Sequence, residues 1–199
     1  TAYEIPKRDW SSDVCSSDLT IPTVQNPSGT ILPVERRREM LRLSVEYGVP
    51  IFEDDCYCDL IWSGERPPAI YAMSERGNVI HIGSFSKSIA PALRVGYIVA
   101  PWAFLSRTLA LKTDAGSGAL EQMVLAEYCA ANFFKHVPVL RRALRAKLVT
   151  LMEALRNEFG STVEFDDPKG GIFLWVKLDR KSTRLNSSHV SESRMPSSA

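Results

Sequence analysis

Residues 20–57 read TIPTVQNPSGTILPVERRREMLRLSVEYGVPIFEDDCY. Thr20 to Gln25 is a short β-capable run that stops at the turn signal Asn26-Pro27-Ser28-Gly29. Residues 33–47 open with Pro33 and carry Val34, Met40, Leu41, Leu43 and Val45 between charges, and Gly48 follows. That pattern predicts an amphipathic helix with a glycine stop. A second apolar run, Val49 to Phe52, breaks abruptly into Glu53, Asp54 and Asp55. Strand, helix and strand with short joints make a βαβ unit, which calls for a parallel sheet and a right-handed crossover. The chain is therefore of the α/β class.

Further on, residues 62–77 form a long connection with little periodicity. Val79 to Ile82 and Val95 to Ala100 read as strands. The dozen residues between them are too few for a crossover helix, so these two are expected to be antiparallel. Helical patterns follow over 101–112, 117–134 and 137–159. The last carries Val139, Leu140, Leu144, Leu148, Leu151, Met152 and Leu155 on one stripe, as suits a helix bridging two domains. Strands are expected at 162–165 and 171–177, around the turn Asp167-Pro168-Lys169-Gly170.

The two ends do not read like the middle. Residues 1–19 and 179–199 are rich in Ser and show neither apolar period. DWSSDVCSSDL back-translates as the end of a standard short-read sequencing adapter, and DRKSTRLNSSH as its reverse complement. Both flanks are expected to be disordered artefact, with the fold confined to residues 20–178.

Composition excludes several classes. With 24 Lys and Arg against 23 Asp and Glu, the net charge of +1 leaves no nucleic-acid footprint in this segment. No run approaches the roughly 18 uncharged apolar residues of a membrane span. The four Cys are unevenly spaced, and the pair Cys56 and Cys58 has no second pair or His nearby to make a metal site. No metal is expected.

Each apolar strand ends in polar groups: Asn26 after the first, Asp54 and Tyr57 after the second, Ser84, Ser86 and Lys87 after the third. Ligands bind at the carboxyl ends of strands in open α/β sheets, so these groups are expected to share one crevice. Singly, each could be a turn former, a cap or a solvated charge. Together they form the kit that pyridoxal 5'-phosphate requires. An amine makes a Schiff base with its aldehyde, and a carboxylate pairs with its ring nitrogen. Hydroxyl and amide donors hold its phenolate oxygen, and Arg with Ser hydroxyls holds its phosphate.

Four motifs in order carry a resemblance: Asn26-Pro27-Ser28-Gly29; Glu53-Asp54-Asp55-Cys56-Tyr57; Ser84-Phe85-Ser86-Lys87 continuing to Leu93-Arg94-Val95-Gly96-Tyr97; and Pro168-Lys169-Gly170-Gly171-Ile172-Phe173-Leu174-Trp175-Val176. In these the chain resembles the fold-type I, class I/II aminotransferases, and most of all their 2-aminoadipate and kynurenine aminotransferase branch. The resemblance implies part of the large pyridoxal-phosphate domain over 20–135, with a mostly parallel sheet and one antiparallel strand. A bridging helix and the start of the small α+β domain would occupy 136–178. Lys87 would be the Schiff-base lysine and then the base. Asp54, rather than Asp55, would meet the ring nitrogen, Tyr57 and Asn26 the phenolate oxygen, and Ser84, Ser86 and Arg94 the phosphate. Asn26-Pro27 would be a candidate cis step.

The activity so implied is transfer of an amino group between an amino acid and a 2-oxo acid, in a cytoplasmic homodimer. The alternative is the aminotransferase-like effector domain of a bacterial transcription regulator, and other pyridoxal-phosphate reactions on the scaffold stay open. The family's glycine-rich phosphate loop, its ring-stacking aromatic and its substrate-carboxylate arginine would lie outside residues 20–178. The chain as written is therefore expected to be poorly soluble and inactive.

Overall fold

The computed structural model describes residues 18–113 and 116–178. The flanks expected to be disordered, apart from Asp18, Leu19, lie outside the described residues. Four strands, β1 (Asp18–Thr20), β2 (Ile51–Asp54), β3 (Val79–Ser84) and β4 (Gly96–Val99), form one sheet in the order β1-β2-β3-β4. The first three are parallel, and β4 is antiparallel to β3, as the short connection required.

Helix α1 (Val34–Tyr47) makes the crossover from β1 to β2 and stops at Gly48, whose φ of 66° closes the last turn by donating to Ser44 O. Met40 and Leu41 of α1 pack against buried Ile51, Ile70 and Val79 on the sheet. Ile70 opens a short helix, α2 (Ile70–Met73), in the connection expected to lack periodicity.

Two strand positions differ from the sequence expectation. β1 begins at Asp18, and Asp18 and Leu19 pair with Ile51 and Phe52, two residues upstream of the boundary set by composition. Backbone pairing along an open edge does not depend on side-chain identity. Downstream, Pro22 has no N–H to donate and Val24 takes a φ of 58°, so the extended run ends at Thr20 and not at Gln25. β2 begins after Pro50 and reaches Asp54, because Glu53 and Asp54 continue the ladder opposite His81 and Ile82.

Helices α3 (Trp102–Ala110) and α4 (Ala119–Phe159) follow. α4 is one helix of 41 residues, roughly 60 Å long at 1.5 Å per residue, where the sequence suggested two. Pro138 lies inside it; a proline removes only one N–H of the ladder, and the helix continues on either side. Residue 136, the expected domain boundary, is thus mid-helix. The carboxyl half of α4 sets Leu140 and Leu144 against buried Val24, Tyr57, Leu60 and Ile61, joined by Phe173. Strands β5 (Val163–Glu164) and β6 (Lys177–Leu178) pair antiparallel for two residues each, so residues 171–176 are not the strand expected there. Among the described residues no helix is long and apolar enough to cross a membrane.

Candidate active site

β1, β2 and β3 lie side by side in parallel, so the three polar strand ends expected from sequence meet along one edge of the sheet. The loop after β1 is closed by its own backbone. Leu32 N–H donates to Pro22 O at 2.8 Å and Gln25 N–H to Thr30 O at 2.8 Å. Gln25 Oε1 accepts from Ser28 N–H at 2.9 Å and from the Ser28 hydroxyl at 2.6 Å. Asn26 sits exposed at the tip of this loop, and its bond to Pro27 is cis.

Asp54 is the last residue of β2, and its Oδ1 accepts the Cys56 N–H at 3.2 Å. That turn brings Tyr57 into the core, where its ring meets Phe173 edge-on at 5.6 Å. Burial, with Cys56 and Asp54 alongside, pushes the Tyr57 phenol up to about 12, while the Asn26 side chain pulls the other way. The phenol is therefore a neutral hydrogen-bond donor at any physiological pH. Burial and the Asp54 charge likewise push the Cys56 thiol up to about 12, with Lys87 acting in the opposite direction. Cys56 thus lies within electrostatic reach of both Asp54 and Lys87, and Tyr57 of both Asp54 and Asn26.

Ser84 ends β3. Asp54 is paired with Ile82, so by strand alternation Asp54 and Ser84 project from the same face of the sheet. Ser84 Oγ accepts the Ser86 N–H at 3.1 Å, and Phe85 O accepts from Ile89 and Ala90 N–H at 2.9 and 3.1 Å. This tight turn leaves Lys87 exposed, with no hydrogen bond or ion pair among the described residues. Ser88 beside it is buried and its hydroxyl is unpaired. Phe85 N–H donates to Val95 O at 3.2 Å, which returns the chain and brings Arg94 back beside the serines. Arg94 has a φ of 50°, and its Nη1 donates to Pro91 O at 3.2 Å in its own turn. It makes no hydrogen bond to Ser84 or Ser86 among the described residues.

The fourth motif packs onto the first two. Lys169 O accepts the Trp62 N–H at 3.0 Å, Pro168 O accepts Trp62 Nε1–H at 3.0 Å, and Gly171 N–H donates to Leu60 O at 3.1 Å. A Cβ on Gly29 would stand 2.8 Å from Pro168 Cβ, and one on Gly171 2.3 Å from Val24 Cγ1. These glycines let the segment close down on the Asn26 loop.

Sequence reasoning missed a buried polar network beneath these groups. Arg37 and Glu53 are both fully buried. Glu53 accepts N–H bonds from Ile70 at 2.7 Å and Tyr71 at 3.0 Å, and one from His81 Nδ1 at 3.0 Å. Arg66 pairs with Asp55 at 2.8 Å, which keeps Asp55 out of the group formed by Asp54. A signal was present: Glu53 falls on the core-facing phase of β2, directly opposite His81. Glu53, Asp55 and His81 could each offer one ligand atom within 4.8 Å of the others. Two guanidinium groups already neutralise the two carboxylates there, so the cluster reads as an ion-pair network.

A parallel sheet with one antiparallel strand, bearing a lysine beyond β3 and a carboxylate with a phenol beyond β2, is the arrangement of a fold-type I transferase domain. A profile of the family described as aminotransferase class I and II matches residues 16–193. The chain belongs to the class I and II aminotransferase family. It is 36% identical over 165 residues to the uncharacterised HTH-type transcriptional regulator YisV of Bacillus subtilis, covering 81% of this chain and 34% of that protein. To the 2-aminoadipate transaminase of Thermus thermophilus it is 33% identical over 165 residues, or 80% of this chain and 42% of that enzyme. The crystal structure of Pyrococcus horikoshii kynurenine aminotransferase, complexed with PMP, superposes with a TM-score of 0.79 at 32% identity, covering 86% of this chain and 44% of that one. The chain thus spans between a third and a half of the length of these relatives.

Proposed function

We propose that these residues belong to a pyridoxal-phosphate-dependent aminotransferase that moves an amino group between an amino acid and a 2-oxo acid. The observation that carries the proposal is the placement of Asn26, Asp54, Tyr57 and Lys87 beyond the carboxyl ends of adjacent parallel strands, with Cys56 within reach of both Asp54 and Lys87. The donor set fits the cofactor. Lys87 has an uncommitted amine, Tyr57 holds a neutral phenol, and Ser84 accepts one N–H while its own hydroxyl hydrogen stays available.

When bound, pyridoxal phosphate supplies an electron sink for the bonding pair released at the substrate's α carbon. Lys87 Nζ would hold it covalently and, when free, would take the α proton. Asp54 would face the ring nitrogen, and Tyr57 and Asn26 would donate to the phenolic oxygen. Ser84 and Arg94, with Ser86 as a third, would hold the phosphate, with Arg94 giving up its exposed bond to Pro91 O. The amino-acid and oxo-acid substrates, a homodimer and a cytoplasmic location complete the proposal.

The test uses the full-length protein. Added pyridoxal phosphate should give a visible absorption band, borohydride should fix it, and peptide mapping should find the adduct on Lys87. Lys87→Ala should abolish both the adduct and amino transfer. An adduct on another lysine would overturn the assignment.

A second reading is favoured by one observation: YisV, at 36% identity, is a transcriptional regulator. In that case the same residues bind the cofactor in an effector domain. A winged-helix domain in the full reading frame, and operator binding that responds to pyridoxal phosphate, would select it.

A further inference from the structure

We propose that Arg37 is a positioning residue for this site: its guanidinium ties both ends of the Asn26 loop to Glu53, one residue before Asp54, and so holds Asn26 against Tyr57. The inference rests on the proposed roles of Asn26 and Tyr57 at the cofactor's phenolic oxygen.

Arg37 is fully buried, and all three of its guanidinium nitrogens are engaged. Nη2 donates to Pro22 O at 2.9 Å and to Thr23 Oγ1 at 3.1 Å, where the loop begins. Nε donates to Leu32 O at 2.8 Å, where the loop ends. Nη1 donates to Pro68 O at 3.1 Å and lies 3.9 Å from Glu53 Oε1. Glu53 in turn grips α2 and β3 through Ile70, Tyr71 and His81. One planar cation therefore fixes the loop relative to the strand that carries Asp54 and leads into Tyr57. A lysine could not replace it, since an ammonium concentrates its donors on one atom and cannot reach both loop ends at once.

The loop tip itself has little else to hold it. Asn26 and Pro27 are exposed, and the bonds that close the loop join it only to itself. Within the loop Val24 packs on Tyr57, Leu60 and Ile61 and Gly29 approaches Pro168, while Arg37 bonds both of its ends at once. Loss of that attachment lets Asn26 drift from Tyr57, which weakens one of two donors to an anionic oxygen. A hydrogen bond to a charged group contributes about 1.5–3 kcal/mol, equivalent to about one to two pKa units. With that oxygen less well satisfied, the proton on the neighbouring Lys87 Nζ is held more tightly.

The experiment titrates the visible band of the full-length protein loaded with pyridoxal phosphate, in wild type, Arg37→Met, Asn26→Ala and the double variant. Arg37→Met should raise the midpoint by about 0.5–1 unit, roughly a 3- to 10-fold change in the acid constant. Asn26→Ala should raise it at least as far, and the double variant no further than Asn26→Ala alone. A wild-type midpoint in Arg37→Met, or additive shifts in the double variant, would overturn the proposal, because a purely structural arginine does not act through Asn26. If Arg37→Met does not fold, Arg37→Lys carries the test: a smaller upward shift supports positioning and an unchanged midpoint refutes it. Absence of any Lys87 adduct in the wild type would instead sink the functional reading on which the inference rests.

Discussion

Gly170 offers the sharpest test of how the fourth motif is held on the site. A methyl group there would stand 2.7 Å from Leu60 O, 2.9 Å from Ile61 Cα and 3.0 Å from Val24 Cγ2. Two of those neighbours are backbone atoms, which cannot swing away as a side chain can. Gly170→Ala must therefore push residues 168–171 off the loop. Overpacking of this kind costs about 1–3 kcal/mol. The displaced segment also weakens the Gly171 N–H bond to Leu60 O, now 3.1 Å, for about 0.5–1.5 kcal/mol more. The expected loss is about 1.5–4.5 kcal/mol, read by urea unfolding of the full-length protein as a lower midpoint at unchanged slope. Gly64→Ala is the control. Its φ is 81° with nothing within 4 Å, so only the left-handed backbone cost of about 1–2 kcal/mol applies. If the two variants lose equal stability, the segment is not seated against Leu60 and the packing account is wrong.

Pro138→Ala should stabilise the protein by about 1–3 kcal/mol, since the residue is exposed and the change restores a helical N–H. A loss of stability in thermal melts would mean that α4 is two helices. The Glu53–His81 pair gives a pH dependence. Its hydrogen bond to Glu53 raises His81 above 6.5, so that contribution is full below 6.5 and fades as pH rises through the folded value. Burial pushes Glu53 up, but bonds from His81, Tyr71 and Ile70 outweigh it and leave it below 4.5, so its contribution is full above 4.5 and fades as pH falls through the folded value. The stability gap between wild type and His81→Asn should accordingly be widest between 4.5 and 6.5, and a gap that stays flat through neutral pH would refute the pairing. The chain as written should aggregate, because Trp102, Leu111 and Phe134 are 71%, 80% and 89% exposed. A monodisperse peak in size-exclusion chromatography would contradict this.

Helix α1, the antiparallel β4 and the placement of Asn26, Asp54, Tyr57 and Lys87 after adjacent parallel strands were legible because each leaves a local mark: an apolar period, a short connection, or polar residues where an apolar strand stops. The unbroken α4 was not. Pro138 is a legitimate stop signal, and only packing on both sides of it decides otherwise. The inward face of α1 was misread in detail. Val45, counted with its apolar residues, is exposed, whereas Arg37 and Ser44 are buried. Arg37, Glu53 and His81 are distant in sequence and look like solvated charge one at a time. Their burial follows from mutual neutralisation, which only the register of β2 on β3 and the reach of α1 reveal.

The motifs, up to 150 residues apart in sequence, are brought together by different means. Lys87 and Asp54 are placed by strand pairing, which ladder hydrogen bonds fix within a fraction of a residue. Asn26 has no such ladder, and segment 168–171 has only the single bridge of Gly170 to Ile61. That bridge, its flanking backbone bonds and close glycine contact with Val24 and Leu60 seat the segment. For Asn26 the means is a buried cation that also meets the adjoining strand. A buried ion pair is weak evidence for stability, since apolar replacements often serve as well. The geometry it imposes is harder to replace: an apolar side chain at position 37 could fill the volume but could not bond Pro22 O and Leu32 O together. What Arg37 supplies in the core is position: one side chain joined to both ends of the Asn26 loop.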